Sequence, residues 1–265
     1  MSESSHKQET ELAEGTLLSH LVELRSRLVR IALAVLVVFV CLAPFAERVF
    51  TLVATPLMDQ LPENASMIAT QVASPFLTPF KLAFVAAIFV AMPVILYQIW
   101  AFIAPGLYAS EKRFVMPLMF SSILLFYLGV AFAYYAVFPL MFAFFTAVAP
   151  EGVAVMTDIT AYLDFVIAIF FAFGLAFEVP VATVLLVKAG LVTPAQLRAK
   201  RPYVFLGAFV LGMLLTPPDV ISQTLLAVPM YLLYESGIIM SRYIVPGHRE
   251  VEAQHSAEAA HPGSD

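Results

Sequence analysis

From Tyr162 to Val187 the chain carries a long apolar run, and Glu178 stands inside it. As a helix at about 1.5 Å per residue, such a run is long enough to cross roughly 30 Å of hydrocarbon. Glu178 then lies ten residues before Lys188, about 15 Å from the nearer water interface. A carboxylate at that depth costs a few kcal/mol, by analogy with the roughly 2.5–3.5 kcal/mol of other charged side chains at a helix centre. It has to be protonated or paired with a group on another helix. The run therefore implies both a bilayer around the fold and a polar task inside that bilayer.

Four runs of 18 or more nearly uncharged residues make the same point along the chain. Hydrophobic residues are 61% of the sequence and charged ones 12%. A soluble domain could not cover that much apolar surface with polar groups. The fold class expected is an all-α integral membrane protein. Cys41 is the single cysteine and lies in the first apolar run, so neither an internal disulfide framework nor a cysteine metal cluster is expected. The first residues are polar and acidic, and the first apolar run lacks a small-x-small exit, which predicts an uncleaved anchor.

Residues 1–15 read as a disordered tail. Thr16 to Arg30 reads as an amphipathic helix, with Leu17, Leu21, Leu24 and Leu28 on one face and His20, Glu23, Arg27 and Arg30 on another. A single domain is expected over 16–244, with spans at about 31–46, 79–104, 114–138, 161–187, 203–216 and 220–240, and a second disordered tail over 245–265. Residues 47–78, with Pro56, Pro62 and Pro75, read as a long loop folded as a cap. Pro93 predicts a kink in the second span, and Pro139 a bend after the third. The last two spans read as short: the fifth has about fourteen residues, or roughly 21 Å, and the sixth contains Pro229.

Six spans place both ends on one side, and basic residues decide which. With the N-terminus inside, Lys7, Arg25, Arg27, Arg30, Lys112, Arg113, Lys188, Arg198, Lys200, Arg201, Arg242 and Arg249 are cytoplasmic; Arg48 and Lys81 alone are outside. The expected topology is N-in and C-in.

Enzymatic motifs are missing. There is no His-Glu-x-x-His, Gly-x-Ser-x-Gly, phosphate-cradling loop or Cys-x-x-Cys. No enzyme, cofactor or metal site is expected, and nothing points to nucleic acid. Glu23 and Glu111 are acids at the cytoplasmic boundary, each among basic residues. Two such acids can hold a pair of guanidinium groups through charge-assisted hydrogen bonds. Equally, Glu23 can pair with Arg27, and Glu111 with Lys112 or Arg113. Glu178 can serve function or structural pairing with a partner helix. Asp164 reads as a solvated helix end. Asp219, after Pro217-Pro218, can cap the last helix. Thr216 and Gln223 flank the same outer turn, as a polar patch or as inter-helix packing.

Several motifs resemble one family. Ser19-His-Leu-Val-Glu23-Leu-Arg25-Ser-Arg27-Leu28 is similar to the opening motif of TatC, the multispanning component of the twin-arginine protein translocase. So are Val94-Ile-Leu-Tyr97-Gln98-Ile-Trp100-Ala-Phe102-Ile-Ala-Pro105-Gly-Leu-Tyr108 followed by Glu111-Lys-Arg, then Phe177-Glu178-Val-Pro180, Arg201-Pro-Tyr203 and Leu215-Thr216-Pro217-Pro218-Asp219. The likeness runs from about residue 16 to 244 and is strongest to proteobacterial members.

The resemblance implies six helices in a cupped-hand, glove-like architecture in the bacterial inner membrane. It implies a signal-peptide receptor for folded precursors, with Glu23 and Glu111 facing the two arginines and Arg25, Arg27 and Phe102 belonging to the same site. Glu178 is implied to engage a polar residue on a partner helix. Met213, Leu214, Thr216 and Gln223 fall where the single-span TatB and TatA are implied to dock. Pro56 matches a position needed for assembly or translocation. Self-association, contact with membrane lipid and a drive from the proton gradient are implied as well. Two rival readings rest on residues alone: a proton-coupled transporter using Glu178, and a purely structural membrane scaffold.

Overall fold

The computed structural model describes the backbone over 2–59, 66–103, 112–148, 156–216 and 219–244, and side chains from residue 21 on within those ranges except 112–115. Eleven α-helices follow one another over these residues: α1 Ser2–Leu42, α2 Ala46–Met58, α3 Ser74–Val90, α4 Met92–Ile103, α5 Lys112–Phe132, α6 Phe138–Ala147, α7 Ile159–Ala176, α8 Val179–Lys188, α9 Pro194–Ala199, α10 Arg201–Leu215 and α11 Val220–Ile244. No strand occurs among the described residues. Helix α1 starts at Ser2, where an irregular tail is expected from the sequence, so residues 2–15 are helical.

Among the described residues four stretches are long and apolar enough to cross a membrane: Leu21–Met58, Met116–Ala147, Ile159–Lys188 and Val220–Ile244. The pair α3 and α4 makes a fifth, bent by 48° at the Ala91 turn, two residues before Pro93. Helix α10 is apolar but short, as expected. Helix α11 is not: its 25 residues run through Pro229 without a stop, long enough for a full crossing. The expectation of two short final spans therefore holds for α10 alone. Packing explains the difference, because α11 lies along both α8 and α10. A Cβ on Gly237 would sit 3.0 Å from the Pro180 backbone, so only glycine allows that close approach.

The cap expected over 47–78 is also corrected. A single 3-10 turn, Ala43–Phe45 around Pro44, separates α1 from α2, and the chain stays helical to Met58. Val53, Ala54, Pro56 and Leu57 bury one face of α2, and α2 packs against α3 and α6. Tertiary burial overrides the turn signals of that stretch.

Proline breaks recur, and the protein handles two of them in the same way. Pro56 has no N–H, so the carbonyl of Leu52, four residues back, loses its helical partner. The Tyr134 hydroxyl donates to that carbonyl at 2.7 Å. Pro93 likewise frees the carbonyl of Phe89, and the Tyr127 hydroxyl donates to it at 3.0 Å. Both tyrosines come from the third span, one on α5 and one in a five-residue π-helical segment, Ala133–Val137. That span thus supplies the hydrogen bonds that two prolines remove from its neighbours.

The main core gathers Phe138, Met141, Phe142, Leu163, Val166, Ile169, Phe170 and Phe173 with Val53 and Leu57 of α2. Phe138 meets Phe170 edge to face at 5.0 Å, and Phe89 meets Phe126 at 5.6 Å. A second cluster, Met92, Leu96, Trp100, Phe126 and Val181, sits nearer the α4–α5 connection.

Candidate functional site

Glu23 and Arg27 stand one turn apart on the face of α1 that turns inward; Arg25, two residues between, is exposed. The i, i+4 pair has formed: Arg27 donates from Nη2 to Glu23 Oε1 at 2.5 Å and from Nε at 3.1 Å. The same guanidinium reaches across to α4. Nη1 donates to the side-chain oxygen of Gln98 at 3.3 Å, and Nη2 to the Ala101 carbonyl at 3.0 Å. Ala101 is in the last turn of α4, where carbonyls have no helical partner and the helix dipole is negative. Arg27 thus lies at a helix terminus that favours a cation. Phe102 follows at the end of α4, half-buried. Glu111 lies outside the described residues, so the structure brings Glu23 and Arg27 together, places Phe102 nearby and sets Arg25 apart.

Glu178 occupies a break in the fourth span. Residues 177 and 178 form a turn between α7 and α8, and Pro180 in the first turn of α8 explains why the helix restarts there. The carboxyl is part-buried; its Oε1 is buried and has no hydrogen-bond partner among the described residues. The Ser122 hydroxyl of α5 lies beside the carboxyl and accepts the Trp100 indole N–H at 3.3 Å.

The four candidate partner-helix residues divide into two kinds. Met213 and Leu214 are exposed, at 50% and 72%. Thr216 is buried and donates to the Gly212 carbonyl at 2.9 Å, and Gln223 donates to the Phe209 carbonyl at 2.7 Å. Gln223 thus ties α11 to α10, where a Cβ on Gly212 would come within 3.1 Å of Gln223, whereas Thr216 closes the last turn of α10 itself. Asp219 accepts the Ser222 N–H at 2.7 Å and so caps α11. Beside this surface an apolar groove of about 880 Å³ opens between α7, α8, α10 and α11. Its one polar side chain, Tyr234, is already bonded to the Leu197 carbonyl at 2.7 Å.

Three polar contacts were not foreseen. Asp164, expected as a solvated helix end, pairs with Lys81 between α7 and α3. Glu235 accepts Arg201 Nη2 at 2.5 Å and the Tyr231 hydroxyl at 2.9 Å. Gln98 is 7% exposed and receives Arg27. The available signal for Gln98 was one strongly polar residue within an otherwise apolar helix, whereas Glu235 is one of several polar residues in α11. At the opposite end, Asp158 caps α7 and also accepts the backbone N–H and hydroxyl of Thr70, the hydroxyl at 2.6 Å. The Thr70 hydroxyl first, then the Thr70 and Ala161 N–H groups, hold this carboxyl down at about 2. Backbone pairing of Ile68 with residues 157–159 closes the same corner.

Bilayer-length apolar helices that enclose polar side chains define a multi-span helical membrane protein. Residues 19–229 match the family model of the Sec-independent protein translocase protein (TatC). The Sec-independent protein translocase protein TatC of Azotobacter chroococcum is 62% identical over 89% of this chain and 92% of its own length. That of Escherichia coli K12 is 59% identical, also over 89% of this chain and 92% of its own length. A crystal structure of the twin arginine translocase receptor TatC superposes with a TM-score of 0.76 at 39% identity, covering 84% of this chain and 98% of the other. The chain belongs to the TatC family, a family of bacterial protein-transport components and not of enzymes.

Proposed function

We propose that this protein is the signal-peptide receptor and core subunit of a twin-arginine translocase in a bacterial inner membrane. Folded precursors present an Arg-Arg pair ahead of an apolar segment. Glu23 and Glu111 receive the two guanidinium groups at the cytoplasmic face, beside Phe102, and the apolar segment enters the bilayer face of the glove. The observation that carries this reading is the inward-facing Glu23 carboxylate, bonded to Arg27, which in turn is bonded to the end of α4. A preset carboxylate at an interface suits a charge-assisted, bidentate guanidinium contact.

Six spans with N-in and C-in topology complete the proposal. The basic-residue distribution supports it, and short α10 crosses only if the bilayer thins locally or longer neighbours shelter it. TatB and TatA dock through their single spans on the exposed side of α10, Met213 and Leu214, beside the apolar groove. Glu178 meets a polar residue on such a partner helix, which supplies the partner that its buried oxygen lacks. The proton gradient drives transport.

The test is photocrosslinking of a twin-arginine precursor in membranes that contain the partners, with probes at Phe102 and beside Glu111. Crosslinks are expected with Arg-Arg and lost with Lys-Lys. Glu111→Lys is expected to abolish them while the protein remains inserted; normal crosslinking by that variant would overturn the assignment.

A further inference from the structure

Gln98 is the one strongly polar side chain buried on the α4 face that also carries Met92, Leu96 and Trp100. A buried amide without a partner is costly, so its presence needs an interaction that repays it. The interaction in the structure is with Arg27, from another helix and 71 residues away in sequence.

The Arg27 guanidinium has three acceptors around it: Glu23 Oε1, Gln98 Oε1 and the Ala101 carbonyl. They lie in different directions, which matches the fixed fork of an arginine and not the point charge of a lysine. Two of the three belong to α4, so the guanidinium is held there independently of Glu23. Both bonds to Glu23 reach the same oxygen, Oε1. The second oxygen, Oε2, takes neither of these bonds, and the Glu23 side chain is 36% exposed.

We propose that Gln98 is a positioning residue for signal-peptide recognition: with the Ala101 carbonyl it seats Arg27 on α4, and the seated Arg27 fixes the Glu23 carboxylate with Oε2 presented to a guest guanidinium. This rests on the reading above that Glu23 receives a signal arginine. Without the seat, Arg27 has one partner left. It then folds fully onto Glu23, covers both oxygens and competes with the guest. The seat thus keeps a necessary neighbouring cation from blocking the carboxylate that it orients.

The test uses the full chain in membranes with its partner subunits and a twin-arginine precursor carrying a photoprobe. Gln98→Met keeps the length of the side chain and removes the acceptor. Crosslinking to the Arg-Arg precursor is expected to fall roughly tenfold or more, the loss of one hydrogen bond to a charged group. Gln98→Glu restores an acceptor at the same place and is expected to keep near-normal crosslinking, a rescue that a mere packing role would not give. Arg27→Lys, which cannot reach three acceptors at once, is expected to lose as much as Gln98→Met. It decides the matter if Gln98→Met fails to accumulate. Normal crosslinking by Gln98→Met or Arg27→Lys, with Glu23→Gln still defective, overturns the inference and leaves the receptor reading standing. Normal crosslinking by Glu23→Gln removes the receptor role of Glu23, and the inference with it.

Discussion

Two carboxylates serve this protein from opposite situations. Glu23 lies near an interface with its guanidinium partner in place, and that partner is itself held by a second helix. Glu178 lies deep in a span with a buried oxygen that no donor reaches among the described residues. A satisfied acid can take a guest only by sharing or exchange, so its neighbours decide how open it is. An acid with one oxygen left unsatisfied beside a single serine hydroxyl carries a standing cost, removed when a partner brings a donor. The first arrangement suits a ligand that comes and goes; the second suits a subunit that stays.

That contrast can be broken most sharply at Glu178. Glu178→Leu is expected to leave the isolated protein as stable as before or more so, because a buried unpaired polar group disappears. Transport and co-purification of the single-span partners are expected to fail. A lower melting temperature for the isolated variant would show that the carboxyl is already satisfied within the chain.

Gly237→Val comes next, at about 2–3 kcal/mol of destabilisation, because a side chain there must push α11 off the Pro180 backbone. Thermal unfolding in detergent measures it, and a neutral result would mean that the α8–α11 contact is looser than the structure has it.

Tyr134→Phe is expected to cost about 1–3 kcal/mol, since it strands the Leu52 carbonyl. The same change made together with Pro56→Ala should cost far less, because alanine returns an N–H to that carbonyl. The coupling in this double-mutant cycle tests the tyrosine's role directly.

Smallest is a pH effect at the corner where Asp158 meets Thr70. The folded state holds Asp158 below its ordinary value of 3.8, at about 2. A depressed carboxylate contributes its full stability above the unfolded value and loses it as pH falls. Acid unfolding is therefore expected to draw on Asp158 between about pH 4 and pH 2, and Asp158→Asn should remove that part of the pH dependence.

The sequence was most informative where hydrophobicity or backbone covalency decides. Apolar runs located the helices, Pro93 marked the bend between α3 and α4, and Asp219 marked the start of α11. It misled where packing wins over a local signal. Pro56 reads as a loop residue, yet Tyr134 takes the carbonyl it frees and α2 stays helical. Pro229 reads as a shortening of the last span, yet α11 is held against α8 and α10 and continues. Of the candidate site, the Glu23–Arg27 pair follows from i, i+4 spacing. Gln98 does not, because nothing in a linear chain tells which polar residue 71 positions later will meet Arg27.

The corner where Thr70 meets Asp158 also has a consequence for synthesis. Its two halves are 88 residues apart. At about 5–20 residues per second, the ribosome needs about 4–18 s to make the second half after the first. For that interval Thr70 waits with its partner unmade. Closure of this corner therefore reports that the chain has been made and folded as far as Asp158, and a pulse-labelled nascent chain should gain protection from added protease there in one late step.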